Sequence, residues 1–230
     1  MSGASGKVRV GLIGAGMMAN GVHYPSLAEM DDVEMAALCD LDEDRLEQTA
    51  ERFGIESRYR SYRQMLAEED VDAVYVLMPP HILFNIVVDC IEAERHVFIE
   101  KPPTISTFQL RSLCRLTEKH GVIGMVGFNR RYIPMLTWAR RKMRTATTIN
   151  QVVATFFKNE SAVYYGGAVD VIGCDAIHAV DTLRWLAGGD VVDIASCITM
   201  NDAVVPNAWN AIIGFDSGVV GVLMTNWATG

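Results

Sequence analysis

Between Gly14 and Ala19 the chain reads Gly-Ala-Gly-Met-Met-Ala, a G-x-G-x-x-A turn between a strand-like run, Lys7 to Ile13, and a helix-like one reaching Met30. If a dinucleotide lies there, each small residue has a task. Gly14 permits the tight turn, Gly16 lets the backbone approach a pyrophosphate, and Ala19 allows close helix packing. The amides of Met17 and Met18 then point at phosphate oxygens, with the positive end of the helix behind them. Asp40 closes the next strand-like run, 24 residues beyond Gly16, near the roughly 20 expected of the carboxylate that binds both ribose hydroxyls. The competing reading groups Asp40 with Asp42, Glu43 and Asp44 at a solvated helix start, a capping role that we assign to Asp42. A carboxylate at this place repels a 2′-phosphate, and no arginine follows Asp40 before Arg45. NAD is therefore expected over NADP.

A second group of residues suits proton transfer. Histidine titrates near pH 6.5, so His178 can exchange a hydroxyl proton in both directions; the alternative is a buried histidine satisfied by nearby helix carbonyls. Asp175 stands three residues earlier, so on one helix the two side chains share a face, with Asp175 binding a substrate hydroxyl or orienting the imidazole. Asp181 lies on that face too, but three such groups on one helix lack the convergent spacing of a known metal site, and no metal is expected. His81, after Pro79-Pro80, is either a contact to nicotinamide or a loop residue. His23, His96 and His120 read as structural or exposed. Arg130 and Arg131 either clamp a polar ligand or form a domain-junction salt bridge. Tyr164, Tyr165 and Trp209 offer apolar faces to a sugar ring, though aromatics at sheet positions are more often core.

These residues need a scaffold, and the hydrophobic pattern supplies one. Strand-like runs at Val33 to Cys39, Val71 to Met78, His96 to Ile99 and Val122 to Val126 alternate with helical spacing over Leu41 to Phe53, Tyr62 to Glu68, Ile82 to Glu94 and Thr107 to His120. Unbroken apolar strands mark a sheet buried on both faces, and the β-α-β rhythm predicts an N-terminal, doubly wound parallel sheet of the Rossmann type over residues 1–126. From Gly127 the rhythm changes. A basic helix, Met135 to Arg144, precedes the β-rich Gln151 to Asn159, a helix around Asp175 to Leu186, and strand-like runs near Val191, Trp209 and Val219. The last two flank the hairpin signal Asp216-Ser217-Gly218. Residues 127–230 are thus expected to form an α+β domain with a mostly antiparallel open sheet.

With these motifs in order, the sequence from Val8 onward resembles the Gfo/Idh/MocA oxidoreductases, the group of glucose-fructose oxidoreductase and inositol dehydrogenase. The marks are the glycine turn, Asp40, Val74-Tyr-Val-Leu-Met-Pro-Pro80, Glu100-Lys-Pro102, Asn129-Arg-Arg-Tyr-Ile-Pro134, and Gly166-Gly followed by His178-Ala-Val-Asp181-Thr-Leu-Arg-Trp-Leu. The resemblance implies a Rossmann domain, then a domain whose open sheet forms a homo-oligomer interface, with a sugar, cyclitol or similar polyol as substrate. It makes Lys101 the residue beside the reacting oxygen, with Glu100 as its positioning partner, and draws Met78, Pro79 and His81 to the cofactor. Independently, Lys101 follows a buried strand, at the carboxyl edge where open α/β sheets bind ligands, and an ammonium there stabilises a developing alkoxide. Relatives usually carry the aspartate four residues before the histidine, where this chain has Cys174, and a histidine where it has Leu83. The implied activity is NAD-dependent hydride transfer to or from a secondary hydroxyl. Alternatives within the resemblance are a silent nucleotide-binding regulator and an NAD-dependent glycosidase. It also implies further sheet and helix after Thr225-Asn-Trp-Ala-Thr-Gly230, so a truncated chain is expected.

Composition narrows the partners. The chain has 230 residues, half of them hydrophobic, with 20 basic against 28 acidic side chains and a net charge of −8. Such a chain buries a sizeable core, and its acidic balance suits neither nucleic acid nor an anionic membrane. No apolar run reaches the ~18 residues of a membrane span. Five cysteines without a C-x-x-C pair, and a polar start that reads as a frayed tail rather than a secretory signal, suit a reducing cytoplasm.

Overall fold

The computed structural model describes residues 6–229; the polar start at positions 1–5 lies outside them. The chain divides between Gly127 and Phe128 into two compact units.

In the first unit, β1 (Val8–Ile13), β2 (Val33–Cys39), β3 (Ser57–Tyr59), β4 (Ala73–Val76), β5 (His96–Ile99) and β6 (Gly124–Val126) form one sheet in the order β3-β2-β1-β4-β5-β6. Every neighbouring pair is parallel. Alternation along β1 decides the layers. Val10 and Leu12 join Leu38 under α1 (Tyr24–Ala28) and α2 (Glu43–Phe53), while Ile13 joins Val74 and Val76 under α3 (Tyr62–Glu68), α4 (Leu83–Glu92) and α5 (Thr107–His120). Both faces are covered, as the continuous apolar strands demand. The strand order reverses between β1 and β4, the topological switch point where such sheets bind ligands.

Two local departures from the sequence expectation have clear causes. The single helix expected up to Met30 is a π-turn, Ala19–His23, followed by the short α1. The amide of Tyr24 bonds to the carbonyl of Ala19, five residues back. Pro25, next in line, has no amide to offer Gly21, so the wider register coincides with a missing i→i−4 bond. Strand β3 escapes the hydrophobic pattern because Ser-Arg-Tyr is short and mostly polar; pairing with Ala37, Leu38 and Cys39 makes it a strand.

The second unit holds α6 (Pro134–Ala146), β7 (Gln151–Phe157), α7 (Val171–Cys174), α8 (Ile177–Ala187), β8 (Val191–Thr199), β9 (Ala208–Phe215) and β10 (Val220–Asn226). Its sheet runs β7-β10-β9-β8. β8, β9 and β10 pair antiparallel across the expected hairpin, and β7 joins β10 in parallel, so the sheet is mixed. Helix α8 covers one face, where Leu183 and Ala187 meet Ile213, Phe215 and Leu223. Val153, Phe157, Ile212 and Val220 remain exposed, and pairing register puts all four on the opposite face with the helix-averted residues.

Candidate functional site

The glycine turn is held in place before any ligand is considered. Gly14 has φ +101°, and a Cβ there would stand 2.6 Å from the carbonyl oxygen of Leu77, so only glycine fits. The buried Tyr24 hydroxyl donates to the Gly14 carbonyl at 2.5 Å. Burial above all, then the negative charge of Asp40, raises that phenol's pKa and keeps it a donor. Asn20 Nδ2 donates to the Ala15 carbonyl at 2.9 Å and to Thr49 Oγ1 at 3.0 Å, tying the turn to α2.

Asp40 occupies the end of β2 as expected, and its geometry is specific. Oδ2 accepts the Ala15 amide at 2.6 Å and Oδ1 accepts the Asp42 amide at 2.8 Å. The Arg45 guanidinium approaches to 3.9 Å. Asp42 caps α2 by accepting the Arg45 amide at 3.0 Å, so capping and carboxylate-presenting roles fall on separate residues. A dinucleotide fits these residues. No atom lies within 4 Å of the Cβ position of Gly16, which leaves open space beside the turn, and Met17 is 87% exposed. A carboxylate has about four acceptor sites. Two serve the amides, so the remainder can receive ribose hydroxyls.

Met78, Pro79 and His81 follow β4, while Glu100 and Lys101 follow β5. Both groups therefore stand at carboxyl ends of strands, one of them beside the switch point. Glu100 is largely buried. Its Oε1 meets His23 Nε2 at 2.7 Å, and its Oε2 accepts the Lys101 amide at 2.8 Å. Burial pushes this carboxyl's pKa up, but the hydrogen bonds from His23 and the Lys101 amide, with the nearby positive charges, outweigh it and hold the group below its ordinary value. Glu100 is thus an ionised acceptor. His23, read from the sequence as structural or exposed, is largely buried and belongs to this cluster. No sequence mark announces it, since π-turns carry no compositional signature.

In the second unit, Asp175 and His178 do not share one continuous helix. Asp175 ends α7 with φ −121°, outside the helical region, and α8 begins at Ile177, which makes His178 its second residue. Asp175 accepts a hydrogen bond from Lys158 Nζ at 2.7 Å and one from the Tyr164 hydroxyl at 3.3 Å, and Trp227 Nε1 donates to that hydroxyl at 3.2 Å. The hydrogen bond to Asp175 raises the Lys158 pKa, so this lysine is a cation. Sequence reasoning does not find Lys158, because nothing in its spacing ties it to Asp175. The His178 ring stands edge-on to Phe128 at 6.5 Å, and its carbonyl accepts the Thr182 hydroxyl at 2.7 Å.

The buried Asp181 is engaged by Arg131, which donates through Nε at 2.7 Å and through its terminal nitrogen to the second oxygen. This bidentate pair ties the turn Asn129–Tyr132 to α8. Arg130 lies over the Phe156 ring at 4.8 Å. Trp209 is buried and Tyr165 exposed. Among the described residues no group of three or more His, Cys, Asp or Glu is placed to hold a metal ion, and no helix is long and apolar enough to cross a membrane.

A six-stranded parallel sheet with a switch point, a glycine turn and a strand-end carboxylate defines a dinucleotide-binding Rossmann unit, here followed by a mixed-sheet unit. The chain belongs to the Gfo/Idh/MocA oxidoreductase family: the family's model, described as an oxidoreductase family with an NAD-binding Rossmann fold, matches residues 8–128. Over 226 residues it is 26% identical to myo-inositol 2-dehydrogenase of Thermotoga maritima, covering 94% of this chain and 67% of that protein. Among solved structures, a dehydrogenase from Chromobacterium violaceum superposes with a TM-score of 0.90 at 22% identity, over 97% of this chain and 67% of the other. GenD2 from gentamicin A biosynthesis, in complex with NAD, gives a TM-score of 0.87 at 25% identity, over 100% and 68% respectively. The chain spans about two thirds of the length of these relatives.

Proposed function

We propose that the protein is an NAD-dependent dehydrogenase acting on a secondary hydroxyl or keto group of a sugar, cyclitol or similar polyol. The observation that carries this reading is the Asp40 carboxylate, anchored to the Ala15 amide of the glycine turn and left with acceptor capacity beside the open space at Gly16. Gly14, Gly16 and Ala19 shape that turn, and the Met17 and Met18 amides receive the pyrophosphate. Asp40 takes the ribose hydroxyls and disfavours a 2′-phosphate, so NAD is bound in preference to NADP. Met78, Pro79 and His81, with Glu100, border the nicotinamide end.

Bound NAD supplies the carbon that accepts or returns a hydride. In the oxidative direction the His178 imidazole takes the hydroxyl proton, while the Lys101 ammonium stabilises the oxygen as negative charge develops on it. Asp175, paired with Lys158, orients a substrate hydroxyl. The polyol class is supported by the named activity of the inositol-oxidising relative. The exposed sheet face bearing Val153, Phe157, Ile212 and Val220 is the proposed surface for self-association, and five free cysteines suit a reducing cytoplasm.

Calorimetric titration with NAD, then a polyol panel monitored through absorbance of reduced nicotinamide, tests the reading. Binding and net reduction are expected, and Lys101→Ala should abolish turnover while leaving NAD affinity intact. Absence of heat with oxidised and reduced coenzyme alike refutes the assignment. Product formation without net reduction indicates the glycosidase chemistry instead, and tight binding with no turnover indicates a regulator.

A further inference from the structure

The π-turn Ala19–His23 ends in a histidine paired with a carboxylate, that of Glu100. The His23 ring is walled by aromatic side chains from two adjacent strands: it meets Phe98 of β5 edge-on at 5.4 Å and Tyr75 of β4 at 6.2 Å, and these two rings stack on each other at 4.4 Å. Its side chain is 13% exposed and that of Glu100 is 17%. Packing thus confines the imidazole, and Nε2 meets Glu100 Oε1 at 2.7 Å. The other carboxylate oxygen accepts the Lys101 amide. Gly127 leaves room for this arrangement, since a Cβ there would stand 3.2 Å from the Phe98 ring and 3.4 Å from Glu100 Oε1.

A line of contacts therefore runs from the helix that starts at the glycine turn, through His23 and the Glu100 carboxylate, to the backbone of Lys101. An ionised Glu100 needs a donor at Oε1, and only the Nε2–H form of His23, neutral or charged, provides it. The π register matters here. One additional residue per turn rotates the downstream side chains relative to those upstream, and π-turns inside helices recur at functional sites. We propose that His23 is a positioning residue: it fixes the Glu100 carboxylate, which holds the Lys101 amide, so that the lysine turn keeps register with the phosphate-binding helix. The consequence for catalysis rests on the dehydrogenase reading. The link itself does not, because it joins residues whose contacts are visible without a ligand.

Two variants separate the hydrogen bond from ring packing. His23→Phe keeps an aromatic ring against Phe98 and Tyr75 and removes the donor; His23→Gln restores a donor without the ring. Amide hydrogen exchange in ¹⁵N-labelled, ligand-free protein reads the Lys101 N–H directly. Its protection should fall about tenfold in the phenylalanine variant, a change equal to about 1.4 kcal/mol, and return in the glutamine variant. With NAD and a polyol that the panel shows to be oxidised, kcat should fall by about 10- to 100-fold in the phenylalanine variant, as expected of a misplaced catalytic group. NAD affinity and KM should hold, and kcat should recover in the glutamine variant. Unchanged Lys101 protection in a folded phenylalanine variant overturns the proposal, as does equal loss in both variants. If His23→Phe does not fold, His23→Ala is read in the same way. A wild-type protein with no turnover refutes the dehydrogenase reading alone, and the exchange measurement still decides this one.

Discussion

Replacing Asp40 should cost both stability and coenzyme affinity, and the two losses can be measured separately. Each oxygen is committed to a different amide, Ala15 on one side and Asp42 on the other. In Asp40→Ala both bonds disappear. A hydrogen bond to a charged acceptor contributes about 1.5–3 kcal/mol, and a buried donor left unpaired costs about 1–3 kcal/mol. Ala15 is 3% exposed, so its amide is stranded, whereas Asp42 is only half-buried and its amide can turn to water. The sum is about 2–4 kcal/mol, or roughly 5–15 °C in Tm for a chain of this size. Asp40→Asn, though isosteric, should lose a large part of the same stability. Its one oxygen satisfies one amide, and its NH2 faces the other N–H. Urea titration monitored by far-UV circular dichroism gives the first loss. Calorimetry on the folded fraction gives the second, expected to be about 30- to 100-fold in NAD affinity if two ribose hydroxyls lose a charged acceptor worth about 2–3 kcal/mol. Selectivity against NADP should shrink in parallel. A folded Asp40→Ala protein within about 0.5 kcal/mol of wild type, with unaltered NAD affinity, would falsify the role assigned to this carboxylate.

Gly14→Ala should destabilise the first unit by about 3 kcal/mol or more, because a Cβ 2.6 Å from the Leu77 carbonyl forces the backbone apart at a positive φ; thermal melting reads it, and an unshifted Tm refutes it. Glu100 has a lower pKa folded than unfolded, so the stability it contributes is present at neutral pH and is lost as pH falls through its depressed folded value. Glu100→Gln should accordingly flatten the acid limb of the stability curve, and a limb of unchanged slope counts against this. Thr225 is fully buried, its hydroxyl donating to the Trp209 carbonyl at 2.9 Å and accepting the Trp209 amide at 3.2 Å. Thr225→Val should lower stability by about 1–3 kcal/mol in denaturant titration, and a neutral effect excludes a net contribution from this bridge.

Much of the first unit is legible in the sequence, because apolar runs buried on both faces and capped helices leave strong local marks. Tyr62 to Glu68, His96 to Ile99 and Thr107 to His120 are expected over the same residues that the structure assigns. The glycine turn and Asp40 are equally readable, since their chemistry depends on spacing along the chain. The hidden features depend on long-range pairing. Strand β3 is made by its neighbour. The parallel pairing of β7 with β10 joins segments some 70 residues apart, and no local pattern distinguishes it from an antiparallel one. The Glu100–His23 pair spans 77 positions and the Arg131–Asp181 pair 50, so both partners are visible in the sequence and their acquaintance is not. The break between Asp175 and Ile177 is equally silent, because helical spacing continues through it.

Strand β8 has nine residues, all exposed, and Asp193 is its one charged side chain. An edge of this kind relies on charge as a gatekeeper against adding a foreign strand. Handling of this protein therefore turns on that single side chain: exchanging Asp193 for an uncharged residue removes the guard, and concentrated stocks will then thicken or cloud through edge-to-edge addition before the core itself gives way.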